Sequence, residues 1–124
     1  MMEKVDLLIT LTADKADENN VTIAFVMGLK ALEKGYSVRL LLLSNGVRLA
    51  NKSYADEIDI GEPFPPIKDV YPAFFEKGGL LSVCDACMKH NNVLPETVVK
   101  EAQIIQAPDV IDALMNSDKT LQLN

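Results

Sequence analysis

The chain predicts an α/β domain, a three-layer α/β/α arrangement around a mostly parallel sheet of about five strands. Three observations point there. The strand candidates are continuous apolar runs rather than alternating ones, as expected of strands buried on both faces. The intervening segments carry helical apolar spacing or helix start and stop signals. Strand and helix candidates alternate, which suits right-handed crossovers between parallel neighbours. With 124 residues, the chain reads as a single domain over residues 1–124, too short for two ordinary ones. At that size a core forms without metal or disulfide staples.

Val5 to Thr12 is the first strand, a Val, Leu and Ile run closed by the more polar stretch from Ala13 to Asn20. From Val21 a helix presents Val21, Ala24, Phe25, Gly28, Leu29 and Leu32 on one face and Lys30, Glu33 and Lys34 on the other. Gly35 supplies its left-handed cap, and Ser37 to Leu43 follows as the second strand. Ser44-Asn45-Gly46 is a turn, Val47 to Ala50 opens a short helix, and Lys52 to Pro66 is a long irregular excursion within the domain. Asp69 is placed to cap a helix with Pro72 in its first turn and Val70, Phe74 and Phe75 on its apolar side; Gly78-Gly79 end it. Leu80 to Val83 is the third strand. Cys84 to His90 has helix-compatible composition and stops at Asn91-Asn92. Pro95 to Lys100 predicts another short helix, Gln103 to Gln106 a fourth strand, Pro108 to about Asn116 a helix, and Thr120 to Leu123 the last strand.

Charge excludes two classes of partner. Twelve basic residues against eighteen acidic ones leave a net charge of −6, which repels nucleic-acid backbones and anionic membrane surfaces. The N-terminal stretch lacks the apolar core and small-residue cleavage site of a signal peptide, and no apolar run reaches the length of a membrane span, so a cytoplasmic location is expected. Two cysteines are no secreted disulfide framework; a reducing compartment favours thiol chemistry or metal binding.

In parallel sheets, ligands and reactive groups gather beyond the carboxyl ends of the strands. That places Thr12 to Asn20, Ser44 to Gly46, and Cys84 to Cys87 on one rim. Cys84 stands at a strand-to-helix junction, where free backbone N–H groups and the helix dipole favour thiolate. Cys87 lies one turn on and on the same face, placed to resolve a mixed disulfide or shield a persulfide on Cys84. The carboxylate of Asp85 opposes a neighbouring thiolate. Two other readings stay open: both cysteines as small buried hydrophobes, or Cys84, Cys87 and His90 as a C-x-x-C-x-x-H metal set. The chain offers no fourth Cys or His, so no metal site is assigned. It also lacks the glycine-rich phosphate loops and the serine elbow, so no cofactor is assigned.

Three segments resemble the DsrE/DsrF-like family of small sulfur-relay proteins, in the family's order: the opening strand, polar loop and helix ending in Lys34-Gly35; Leu41 to Ala50; and Gly78 to Cys87. The resemblance spans nearly the whole chain. It implies a parallel sheet of about five strands, assembly as trimers or hexamers, and transfer of sulfane sulfur between donor and acceptor partners. It places the persulfide-carrying cysteine at Cys84, immediately after the third strand; only some relatives have a cysteine matching Cys87. The expectation is a sulfur carrier or sulfurtransferase acting through Cys84, with Cys87 assisting. The alternative is a non-catalytic oligomeric module that binds a small ligand or metal.

Overall fold

Five short segments pair side by side, all in parallel, in the computed structural model, which describes residues 2–124. They are β1 (Val5–Leu11), β2 (Val38–Leu42), β3 (Leu80–Cys84), β4 (Ala102–Ile105) and β5 (Ser117–Leu123), in the spatial order β4-β3-β2-β1-β5. The helices between them are α1 (Glu18–Glu33), α2 (Lys52–Ala55), α3 (Ile67–Glu76), α4 (Asp85–His90) and α5 (Ala107–Met115). The chain steps from β1 through β2 and β3 to β4, and α5 then carries it back across the sheet to set β5 beside β1. Right-handed crossovers that change direction place helices on opposite faces. The larger core lies on the side of α1 and α3, where Phe25, Tyr71 and Phe74 meet Ile9, Leu40 and Val83. The smaller one joins Leu8, Leu41 and Ile105 to Ala113 of α5. The α/β/α expectation holds, with the sheet wholly parallel. Among the described residues no helix is long and apolar enough to cross a membrane.

Local chemistry sets the element ends. The Asp17 side chain accepts from the Asn20 N–H at 3.1 Å, which starts α1 three residues earlier than its apolar face announces. Gly35, at φ +94°, closes the helix as expected. Helix α3 differs from its sequence reading: it begins at Ile67 after Pro66, so Asp69 sits inside the first turn rather than at the cap, and Pro72 lies within the helix. The fixed φ of Pro66 starts the helix, and the carbonyl that Pro72 cannot serve belongs to exposed Lys68, where water can take the bond. The excursion from Lys52 to Pro66 contains the single turn α2, capped by Asn51. Of the helix expected over Pro95 to Lys100, only a 3-10 turn at Pro95–Thr97 forms.

Two packing features escaped the sequence. Arg39, in the central strand β2, is 3% exposed. Its guanidinium donates to the Ser82 hydroxyl at 2.7 Å and to the Gln103 side chain at 3.2 Å, tying β2 to β3 and β4. Burial holds its pKa below the ordinary arginine value, against the pull of Glu3. Gly46 packs so closely on the end of β1 that a Cβ there would lie 2.3 Å from the Leu11 carbonyl oxygen. A Gly46→Ala variant is therefore expected to lose about 2–3 kcal/mol of stability by overpacking, measured as a lowered urea midpoint at unchanged slope.

Candidate functional site: the thiol pair at the end of β3

The carboxyl ends of β1, β2 and β3 form one rim, as the parallel topology requires. Backbone bonds close it: the Leu43 N–H donates to the Leu11 carbonyl at 3.1 Å, and the Thr12 N–H to the Leu123 carbonyl at 3.0 Å. Across it, Arg48 pairs with Asp14 at 2.7 Å, joining the segment after β2 to the segment after β1. Thus the three loops named from sequence do meet.

Cys84 is the last residue of β3 and the N-cap of α4, with an extended backbone and no capping bond from its sulfur. It is 7% exposed, set against the larger core, while Cys87, in α4, is half-buried. The two are free thiols three residues apart, and Cys84 is close enough to Cys87 to affect its titration. Cys84 is thus more enclosed than its place at a strand end suggests. Burial pushes the Cys87 thiol up, and the neighbouring Cys84 thiol pushes the same way, while the Ser44 backbone opposes them.

Asp85 does not face the thiols unpartnered. Its carboxylate pairs with Lys89 at 3.0 Å and accepts from Gln106 at 3.3 Å, bonds that hold its pKa below the ordinary carboxylate range. Lys89 supplies a cation that the stretch from Gly78 to Met88 lacks. Sequence places Ser44 on the rim only as part of a turn, and Asn91 only as a helix stop; neither is expected to contact the thiol-bearing helix. Ser44 takes the left-handed conformation at φ +53°, and Asn91 donates to the Cys87 carbonyl at 2.9 Å and the Ser44 carbonyl at 3.3 Å, pinning α4 to the turn after β2. An asparagine at a helix end reads as a stop signal, so nothing in the pattern marks that second role. His90 lies exposed in the last turn of α4, and no three Cys, His, Asp or Glu side chains among the described residues converge as a metal cluster.

Two clefts flank α4. One, of about 340 Å³, includes Arg48, Tyr54 and Asn91 in its wall; the other, of about 220 Å³, includes Asp85, Met88 and Lys89. Neither sulfur lines them.

The raised Cys87 pKa has a kinetic consequence. A thiol reacts as thiolate, so alkylation of Cys87 should inflect above the pH of about 8.5 typical of free cysteine. A Cys84→Ser variant removes the neighbouring sulfur's charge, and the inflection should fall. Iodoacetamide rates against pH, read by peptide mass, test this; an inflection that stays put would contradict the coupling.

The fold and rim define a small parallel α/β domain that presents a C-x-x-C thiol pair at the end of its third strand. The chain belongs to the DsrE/DsrF-like family, whose model matches residues 6–123 and whose general kind of function is sulfur relay. Among solved structures, the ychN protein from E. coli is similar over 98% of this chain and 100% of its own, with a TM-score of 0.75 at 13% identity. A conserved protein of unknown function from Bacteroides thetaiotaomicron is similar over 95% of each chain, with a TM-score of 0.66 at 17% identity. These two likenesses speak to fold. No curated protein matches the sequence.

Proposed function

We propose that this protein is a cytoplasmic sulfur carrier or sulfurtransferase that holds sulfane sulfur as a persulfide on Cys84, with Cys87 assisting. The observation that carries the reading is the pair of free thiols where β3 runs into α4, on the rim of a chain from a sulfur-relay family. In loading, the Cys84 thiolate attacks the terminal sulfur of a donor persulfide, the donor S–S bond breaks, and the donor leaves as thiolate. In transfer, an acceptor thiolate attacks the outer sulfur and Cys84 departs as thiolate. Alternatively Cys87 attacks the inner sulfur, which releases hydrosulfide and forms a Cys84–Cys87 disulfide that a reducing thiol reopens. Enclosure of Cys84 suits a carrier, because a shielded persulfide is kept from stray thiols.

Donor and acceptor are sulfur-handling proteins or small sulfur compounds. A homo-oligomer, trimer or hexamer, is supported by apolar surface on α5, where Ile111 and Met115, one turn apart, are 58% and 78% exposed. The low exposure of Cys84 also favours a second reading, in which the cysteines only pack and the rim binds a small ligand without chemistry.

Incubating reduced protein with a persulfide donor separates the two. The carrier gains one sulfur, about 32 Da, reversed by dithiothreitol. The binding module gains nothing.

A further inference from the structure

A large cleft lies away from the thiols, toward the amino ends of β1 and β5. The cause is topological. The connections from β1 to β4 step away from β1, whereas β5 is added on its other side, so on the α1 face β5 has no helix of its own above it. In register, Lys119, Leu121 and Leu123 pair with Leu7, Ile9 and Leu11 and so share that face. Between this strip and the flank of α1 runs a cleft of about 530 Å³, within the usual range of small-molecule sites. Leu7, Met27, Ala31 and Leu121 make its wall largely hydrocarbon.

The charges at its edge are unequal. Asp118 is paired with Lys4 at 2.9 Å, the Asp6 carboxylate accepts from the Ser37 N–H at 2.8 Å, and Lys30 is paired with Glu33 at 3.3 Å. Lys34 and Lys119, which also line the cleft, make no ion pair among the described residues. On a chain of net charge −6, this apolar trough therefore carries two uncommitted ammonium groups.

We propose that the cleft binds an amphiphilic monocarboxylate, an aliphatic chain lying along Leu7, Ala31 and Leu121 with its carboxylate at Lys34 and Lys119. Burial of the chain supplies the affinity, and the ammonium groups select an acid over the matching alcohol. The site is independent of the thiol chemistry, so loading of Cys84 and occupancy of the cleft stand or fall separately.

Calorimetric titration of the full chain with octanoate and decanoate below their micelle thresholds, with decanol as the uncharged comparison, tests the proposal. The expected result is saturable 1:1 binding that tightens about fourfold per added methylene, with decanol weaker. A Lys34→Glu/Lys119→Glu variant changes two surface positions, leaves the fold intact by circular dichroism, and should weaken decanoate about tenfold. Ala31→Phe fills the trough and should abolish binding. Absence of saturable binding, or affinity indifferent to the charge reversal, would overturn the proposal. So would a smaller assembly on sedimentation of Ala31→Phe, since the trough would then be a subunit interface.

Discussion

Replacing Cys84 with serine is expected to reduce persulfide loading to background, while Cys87→Ser keeps the mass gain. A serine oxygen is essentially never ionised near neutral pH and cannot take up sulfane sulfur, so the acceptor is lost outright. Cys87→Ser removes the thiol beside Cys84, and with it the route that releases hydrosulfide and closes a disulfide. Its persulfide should therefore live longer than that of the wild type in the absence of an acceptor. Burial sharpens the contrast, because Cys84 is buried and Cys87 only half-buried. Placing a hydroxyl at a site 7% exposed costs about 1–3 kcal/mol of stability, so circular dichroism must accompany the assay. Retention of the full mass gain by folded Cys84→Ser would assign the chemistry elsewhere.

The second large effect is on the fold. Phe25→Ala should cost about 3–5 kcal/mol, a substantial share of the roughly 5–15 kcal/mol that holds a domain together. Phe25 is fully buried, and its ring joins α1 to α3: its centroid lies 4.9 Å from that of Tyr71 and 6.4 Å from that of Phe74. The backbone around it cannot collapse into the void, because Tyr71 is itself anchored by a hydroxyl that donates to the Leu49 carbonyl at 2.7 Å. Urea unfolding would show the loss as a lowered midpoint. Leu94→Ala, on an exposed side chain, should stay within about 0.5 kcal/mol and serves as the comparison. Equal losses at the two positions would contradict the packing described for the α1–α3 side.

How far the sequence was legible follows from burial. Strands β1, β2 and β3 are covered on both faces, so their apolar runs are continuous and readable. Strand β5 lies at the sheet edge and opens with Ser117-Asp118-Lys119, three polar residues that look like loop; its apolar part begins only at Leu121. The start of α1 was hidden because Glu18, Asn19 and Asn20 carry no apolar pattern and the signal is one capping aspartate. Arg39 was invisible for the opposite reason: an arginine inside an apolar run gives no hint that Ser82 and Gln103 wait on neighbouring strands. At the rim, the i, i+3 spacing of the two cysteines was enough to place them together. The roles of Ser44 and Asn91 arise from a contact between segments 47 residues apart, which no local pattern encodes. The trough beside β5 depends on strand order and was likewise out of reach.

The central claim is that sulfur resides on Cys84 in the native protein. Wild-type protein loaded with a persulfide donor, trapped with iodoacetamide and digested, should yield the peptide containing both cysteines with fragment ions that place the additional sulfur on Cys84. Fragment ions placing it on Cys87, or a peptide with two singly alkylated thiols and no added sulfur, would contradict the account.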